Sequence, residues 1–191
     1  MGRSAERTMM SAAEYLAWER EQDGKHEFYD GEVFAMSGGS IRHAALGAGV
    51  GAVLRAAFSG RPCTTFSSEL KIGLGGRYVY PDASVVCGPP VTEANARDVV
   101  TNPAVIVEIL SKTTGDYDRG KKWESYQRLA SLTDYLLVAQ DGVRIEQFRR
   151  DGIGWHYQAF GPGERITLAG GITLEVDSIY AGVFELPGGD D

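Results

Sequence analysis

The chain has 191 residues, a formal net charge of −7, and 43% hydrophobic and 24% charged residues. This composition is ordinary for a soluble globular protein, and the length fits a single domain spanning residues 1–191. The acidic balance argues against a protein that grips nucleic acid over its whole surface, and no apolar run approaches the ~18 residues of a membrane-spanning helix.

The cysteines and histidines show no spacing typical of a zinc site. Cys63 and Cys87 do not form a CxxC pair, and the three histidines are scattered along the chain. A zinc site is therefore not expected. The N-terminus lacks the charged-then-apolar layout of a signal peptide, so we expect a cytoplasmic protein with no membrane partner.

The first predicted elements are a short helix and a hairpin. Ser11 and Glu14 have the spacing of a capping box, which predicts a helix running to about Glu21. The segment 26–36 contains two apolar runs separated by Asp30-Gly31, a sequence typical of a hairpin turn.

The next element is the longest predicted helix. From Ile41 to Phe58 the apolar residues recur at helical spacing. Its three glycines are Gly47, Gly49 and Gly51. A phosphate-binding loop would need a preceding strand and a following Gly-Lys-Ser/Thr, so close packing of a small-residue face is the preferred interpretation.

Short strands and one helix follow as far as residue 138. Segments 63–66 and 69–74 are predicted to be two strands or one bent strand. Further strands are predicted at 78–80, 103–110 and 135–138, and the β-branched run 80–86 contains Asp82. Residues 88–102 show no period and are predicted to be a surface connection. The nearly all-apolar segment 103–110 is typical of a central strand covered on both faces, and a helix at 116–129 would connect it to 135–138 in a crossover.

The C-terminal part changes character. Turn signals at Asp141-Gly142 and Asp151-Gly152 separate alternating runs, which predicts an antiparallel β meander over about 141–186. We expect a homodimer, because the runs 143–148 and 155–160 would otherwise expose an aromatic face. In one alternative interpretation the chain is simply a structural homodimer with the meander as its interface.

Two acidic residues stand in or beside β-branched runs. Asp82 and Glu108 would each cost several kcal/mol if buried without compensation. If their strands are neighbours, the carboxylates meet within metal-binding distance, and such oxygen ligands select Mg²⁺ or Mn²⁺. A salt bridge to lysine or arginine is the plainer alternative.

These residues carry a family resemblance. Pro81-Asp82, then a distant Glu108, then a lysine resembles the PD-(D/E)XK restriction-endonuclease-like superfamily. The resemblance is more specific to the Uma family of restriction-endonuclease-like proteins and covers roughly residues 11–140. The similar segments are His26–Glu32, Pro103–Ser111, Asp118–Lys122 with Tyr126, and Thr133–Val138.

The resemblance implies an α/β fold of the restriction-endonuclease type. A mixed central sheet would be flanked by helices at 41–58 and 116–129, with the antiparallel meander at the C-terminus. The implied activity is Mg²⁺-dependent (or Mn²⁺-dependent) endonucleolytic hydrolysis of DNA, with DNA as the partner. A catalytically inactive relative that binds nucleic acid or a protein partner is the alternative.

The resemblance also assigns residues to the site. It implies that Asp82, Glu108 and the backbone carbonyl of Ile109 bind the metal, with Glu27 as an additional acid at the edge of the site. The superfamily lysine two residues after the glutamate is absent, since Leu110 stands there. The Uma pattern points instead to Lys122.

Lys112 is the alternative catalytic lysine, because strand alternation would place it on the face of Glu108. We favour Lys122, since the segment around Lys112 is rich in turn residues while a packed helix would fix Lys122. Lys122→Ala is then expected to leave the melting temperature nearly intact. His43 is interpreted as a capping or surface residue, and Trp123 and Tyr126 as core residues.

Overall fold

The computed structural model describes residues 5–6, 9–111 and 115–187. The helices are α1 (Ala12–Glu19), α2 (Ile41–Ala57), α3 (Gly115–Tyr117), α4 (Trp123–Tyr126) and α5 (Val176–Tyr180). A π-helical turn, Asp118–Lys122, joins α3 to α4. Short 3₁₀ turns occupy Ala169–Gly171 and Val183–Glu185.

The strands in the described part of the chain are β1 (Ala5–Glu6), β2 (His26–Tyr29), β3 (Glu32–Ala35), β4 (Cys63–Ser67), β5 (Lys71–Gly73), β6 (Tyr78–Val79), β7 (Ala83–Cys87), β8 (Thr92–Glu93), β9 (Ala96–Val100), β10 (Val105–Leu110), β11 (Asp134–Ala139), β12 (Ile145–Asp151), β13 (Gly154–Phe160), β14 (Arg165–Leu168) and β15 (Ile172–Glu175).

These strands form two larger mixed sheets and one small antiparallel sheet. The central sheet has the order β13-β12-β11-β10-β7-β4, and β10 runs parallel to β11 but antiparallel to β7. The second sheet has the order β1-β3-β2-β6-β5-β9-β8, and β14 pairs with β15. The expected α/β class, with a mixed central sheet flanked by helices, is confirmed.

The central sheet is covered on both faces. Val105, Val107 and Ile109 point toward α2 and the C-terminal elements, and they share one core cluster with Leu46 and Val50 of α2. The alternate residues of β10 belong to a second cluster that contains Tyr126 of α4 and Ile72 of the other sheet. This two-sided burial explains why β10 is almost entirely apolar.

Two local predictions hold in detail. In the β2–β3 hairpin, Asp30 and Gly31 both have positive φ angles, 50° and 94°, as the tight turn requires. A Cβ atom on Gly49 of α2 would lie 2.6 Å from the carbonyl oxygen of Ile179, so this glycine allows α2 to approach α5 closely. The packing interpretation therefore fits Gly49 better than a phosphate-binding loop.

The prediction of a surface connection at 88–102 is wrong. This segment forms β8 and β9, and β9 pairs in parallel with β5. Ala96, Val99 and Val100 are buried in the core. The exposed residues Arg97 and Asp98 separate Ala96 from Val99. The sequence therefore lacks the strict alternation of a strand, and the surrounding residues are typical of turns.

The meander is less exposed than expected. Strand β12 extends the central sheet by pairing with β11, and β13 is an edge strand in the described part of the chain. The Trp123 ring packs against Phe148 and Trp155 at centroid distances of 4.5 Å and 4.7 Å. The aromatic face that suggested a dimer is therefore partly covered by the chain's own α4.

A disulfide links Cys63 to Cys87. These residues face each other across the β4–β7 pair, so the bond ties the edge strand β4 to its neighbour. The two cysteines are 24 residues apart in the sequence, so the sequence alone did not indicate that they pair. Among the described helices, none is both long and apolar enough to cross a membrane.

Candidate active site

A buried lysine lies among three carboxylates beneath the central sheet. The Nζ atom of Lys122 is 2.8 Å from Oε1 of Glu108, 3.1 Å from Oε1 of Glu27 and 3.6 Å from Oδ1 of Asp118. None of these four side chains is more than 5% exposed. We call Glu27, Glu108, Asp118 and Lys122 the lysine cluster.

Three elements position the cluster. Glu108 faces α4 because side chains alternate along β10, which puts it on the face opposite Val107 and Ile109. Glu27 comes from β2 of the second sheet, and its Oε1 accepts a hydrogen bond from the backbone N–H of Tyr80 at 3.3 Å. The cluster therefore lies where the two sheets meet.

The π-helical turn Asp118–Lys122 supplies the other two members. Both of its end residues are buried, whereas Lys121 is exposed. Such π turns are rare and occur frequently at functional sites. Here the turn directs one acid and one base toward the same point in the protein.

Two tyrosines hold the cluster in place. The hydroxyl of Tyr126 donates a hydrogen bond to Oε1 of Glu108 at 2.7 Å, and the hydroxyl of Tyr135 donates to the backbone carbonyl of Asp118 at 3.1 Å. Tyr126 is buried as predicted for a core residue, but its hydroxyl also fixes a candidate catalytic carboxylate. Hydrogen bonds to a charged partner contribute about 1.5–3 kcal/mol.

Asp82 lies beside this cluster on the neighbouring strand. Ala83 pairs with Val107 in the β7–β10 ladder, so Asp82 stands at the level of Glu108. Its Oδ2 accepts a hydrogen bond from the backbone N–H of Ile109 at 2.7 Å. The structure thus brings Asp82, Glu108 and Ile109 to one position, and Glu27 borders them.

His43 contacts Asp82 from the first turn of α2. Its Nε2 is 3.5 Å from Oδ1 of Asp82, and the two side chains are 23% and 17% exposed. Ser40 is the N-cap of α2, and its hydroxyl accepts the backbone N–H of His43. The imidazole of His43 is not part of this cap and lies at the site, so its interpretation as a capping or surface residue is wrong.

The charged groups of the lysine cluster shift one another's pKa values. Burial alone would lower the pKa of Lys122, but the carboxylates of Glu108, Glu27 and Asp118 raise that pKa well above its usual range. Burial raises the pKa of Glu108, and the neighbouring acids Asp118, Asp82 and Glu27 add to this effect while Lys122 opposes it. The ammonium is therefore charged at neutral pH and compensates an excess of acidic groups.

The hydrogen bond with Asp82 raises the pKa of His43, although burial opposes the shift. A hydrogen bond with the backbone of Ile109 acts in the same direction as Asp82. A protonated His43 therefore adds a second cation to the acidic group, beside Asp82.

The carboxylate oxygens of Asp82 and Glu108 are the kind of ligand that a hard divalent cation prefers. Across residues 9–111 and 115–187, no three His, Cys, Asp or Glu side chains already form a metal cage. Mg²⁺ is commonly held by only one or two carboxylates and keeps several waters. Asp82 and Glu108 supply two such carboxylates, and a buried ammonium already sits against Glu108, which shows that this position favours a cation.

Sequence reasoning missed the position of Asp118, His43 and Tyr126 in the site. The sequence identified Asp118 only as part of a segment similar to the family. The structure adds that the π turn places its carboxylate 3.6 Å from Nζ of Lys122. The alternative lysine, Lys112, lies outside the described residues. Lys122 is the lysine that the described structure places at the carboxylates.

The chain is similar to known proteins over most of its length. A family model described as “Uma2: Putative restriction endonuclease” matches residues 12–177. “Uncharacterized protein slr1290” of Synechocystis sp. is 35% identical over 178 residues, covering 91% of this chain and 93% of that protein. “Uncharacterized protein sll1609” of the same organism is 31% identical over 146 residues, covering 75% of this chain and 82% of that protein.

The fold also matches a solved structure. A crystal structure described as a “putative nuclease belonging to DUF820” from Anabaena variabilis superposes with a TM-score of 0.75 at 17% sequence identity. The match covers 91% of this chain and 99% of that one. At this identity the likeness establishes the shared fold.

Proposed function

The chain belongs to the Uma2 family, described as “Putative restriction endonuclease”, and on that premise we propose that it is an endonuclease that hydrolyses DNA phosphodiester bonds with Mg²⁺ or Mn²⁺. The observation that carries this proposal is the buried Lys122, whose Nζ lies 2.8 Å from Oε1 of Glu108. Asp82 stands opposite Glu108 on the neighbouring strand. Burial of four charged side chains is costly, so a merely structural sheet core has little reason to contain them.

The acidic residues would hold the metal. Asp82, Glu108 and the backbone carbonyl of Ile109 are the proposed ligands, and Glu27 is an additional acid that holds Lys122 at the site. A bound Mg²⁺ or Mn²⁺ supplies Lewis-acid polarisation and a water of lowered pKa. Hydrogen bonds from Ile109 to Asp82 and from Tyr126 to Glu108 orient both carboxylates before any ligand binds.

Lys122 is the proposed catalytic lysine. Its charged ammonium donates hydrogen bonds, so it can orient the attacking water and stabilise the negative charge that develops on the phosphoryl oxygens. Glu27 and Asp118 hold the ammonium near Glu108 and restrict its long side chain. His43 contacts Asp82 and would help to orient it.

A homodimer and a cytoplasmic location are further parts of the proposal. The edge strand β13 exposes Tyr157 to 49%, and a second copy could pair along this edge. Two sites related by a two-fold axis would allow both strands of a duplex to be cut. Light scattering at micromolar concentration tests the dimer, and a monomeric mass would remove it.

An inactive protein of the same fold is the competing proposal. Such a binder would not need a lysine among the carboxylates, and the lysine cluster therefore favours the nuclease.

The direct test is cleavage of supercoiled plasmid DNA with Mg²⁺, with Mn²⁺ and with EDTA. We expect nicked or linear DNA from the wild type with metal, and little from Glu108→Gln. The exposed Glu124 provides a matched control, since Glu124→Gln should cleave like the wild type. Cleavage that is equal in Glu108→Gln and the wild type would contradict the proposed site.

A further inference from the structure

A cavity of about 350 Å³ is lined in part by Leu110, which shares a face of β10 with Glu108 and lies two residues, roughly 7 Å, beyond it. Its lining includes Ser40, Arg42, Ser111, Asp116, Arg119 and Gln140. The volume lies at the lower end of the ~300–1,000 Å³ range of small-ligand pockets, so the space suits a ligand of about one nucleotide.

Several residues that line the cavity are close sequence neighbours of residues in the candidate active site. Arg42 directly precedes His43, Arg119 directly follows Asp118, and Ser111 is three residues beyond Glu108. Three separate segments therefore contribute one residue to the site and a close neighbour to the cavity. A strand of nucleic acid that reaches the lysine cluster would have its next nucleotide at this cavity.

Both arginines are held in place by acceptors. The guanidinium of Arg119 donates from Nη2 to Oε1 of Glu146 at 2.8 Å, and that of Arg42 donates from Nε and Nη2 to the carbonyl of Leu186 at 3.2 Å and 3.1 Å. A guanidinium carries five N–H donors, so these contacts orient each group without using all its donors. Fixed guanidinium groups are well suited to binding phosphate oxygens.

We propose that this cavity binds the nucleotide adjacent to the scissile phosphate, with Arg119 and Arg42 contacting the phosphate of that nucleotide. This inference rests on the proposed nuclease function, because it places the substrate strand across the lysine cluster. The Ser40 hydroxyl donates to Oε1 of Gln140 at 2.9 Å and fixes a polar wall between α2 and the end of β11. That wall offers polar groups to a sugar or base.

Asp116 supplies a test of opposite sign. It is exposed, lines the same cavity and acts electrostatically on Arg119. A carboxylate in a phosphate pocket weakens binding, so its removal should strengthen the complex. The exposed Asp23 does not line the cavity, so Asp23→Asn makes the same change in net charge and should strengthen binding less than Asp116→Asn.

The experiment measures fluorescence anisotropy of a labelled DNA oligonucleotide with Ca²⁺ in place of Mg²⁺, over a series of salt concentrations. Arg119→Ala should weaken binding about tenfold and reduce the salt dependence by about one phosphate contact. Arg144→Ala is the matched control, because Arg144 also pairs with Glu146 but does not line the cavity, and it should bind like the wild type. Asp116→Asn should bind more tightly than the wild type.

Arg42→Ala tests the same pocket from α2 if Arg119→Ala proves to be misfolded by circular dichroism. Wild-type affinity in both arginine variants, equal weakening in Arg119→Ala and Arg144→Ala, or no binding by the wild type would each overturn the cavity assignment. Inorganic phosphate is added as a competitor. If phosphate alone displaces the oligonucleotide at equal concentration, the pocket binds free phosphate, and the proposal that it binds a nucleotide is overturned.

The two proposals fail in different ways. If the wild type binds DNA through Arg119 but cleaves none with Mg²⁺ or Mn²⁺, the nuclease proposal falls, and the cavity is assigned to a nucleotide of bound DNA without a cleavage role. If the wild type cleaves DNA while Arg119→Ala keeps the wild-type affinity, the nuclease proposal stands and the cavity assignment falls.

Discussion

The ammonium of Lys122 lies 2.8 Å from the carboxylate of Glu108, and both side chains are at most 5% exposed. This pair gives Lys122 two roles. It is the proposed catalytic lysine, and it is also the cation that compensates the buried charge of Glu108, Glu27 and Asp118. Removal of the ammonium should therefore affect both stability and activity.

The first prediction concerns stability without metal. Lys122→Met should lower the free energy of unfolding by about 3–5 kcal/mol, because it leaves buried carboxylates without a cation. The exposed Lys121 is the matched control, and Lys121→Met should leave the denaturation midpoint close to that of the wild type. This prediction differs from the sequence-based expectation of a nearly intact melting temperature for Lys122→Ala, because the structure places Lys122 among three buried carboxylates. Equal urea midpoints for the two variants would contradict the structural role.

The second prediction concerns metal binding. Mg²⁺ or Mn²⁺ should raise the melting temperature of the wild type, since a ligand that binds the folded state at 100 times its Kd adds about 2.7 kcal/mol. Asp82→Asn should lose most of this shift, whereas the exposed Asp23→Asn should keep it. Differential scanning fluorimetry measures both. A full metal-dependent shift in Asp82→Asn would rule out Asp82 as a ligand.

Much of the fold could be predicted because its signals are local. The capping box of α1, the Asp30-Gly31 turn and the apolar run of β10 each specify an element within a few residues. The positions of Asp82 and Glu108 followed from neighbouring strands and from the resemblance to a known family. Their approach in the structure depends on the β7–β10 register, which the sequence patterns did not specify.

The remaining features depend on contacts between distant segments. The π turn that buries Asp118 beside Lys122 has no local signature, and His43 reaches Asp82 only after α2 packs on the sheet. The Cys63–Cys87 bond likewise depends on the β4–β7 register. Such arrangements are set by tertiary packing, and single-sequence patterns do not encode them directly.

The third prediction concerns the pH dependence of the His43–Asp82 pair. The hydrogen bond with Asp82 raises the pKa of folded His43 above its value of about 6.5 in an unfolded chain. The protonated pair therefore stabilises the protein fully below about pH 6.5, and this contribution is lost as the pH rises through the higher, folded pKa.

The measurement is the stability difference between the wild type and His43→Gln in EDTA, taken from urea denaturation at several pH values. The difference should be largest at acidic pH and shrink toward alkaline pH. NMR titration should also show that Asp82→Asn lowers the pKa of His43. A stability difference that grows as the pH rises would refute the assignment.

The fourth prediction concerns the disulfide. The bond closes a loop with a sequence separation of 24 residues, so its removal should cost about 3–4 kcal/mol by loop-closure entropy. Cys63→Ser with Cys87→Ser should lower the melting temperature, and a reductant should have the same effect on the wild type alone. If alkylation in freshly lysed cells labels both cysteines, the bond is reduced in the cell, as a reducing cytoplasm would require.

The most direct test of the central claim compares the cleavage rates of Lys122→Met and Lys121→Met on plasmid DNA with Mn²⁺, at a temperature where circular dichroism shows both variants folded. We predict that Lys122→Met is slower than the wild type by about 10²–10⁴-fold, while Lys121→Met retains the wild-type rate. Equal rates for the two variants, or the absence of metal-dependent cleavage by the wild type, would contradict the assignment of the lysine cluster as a nuclease active site.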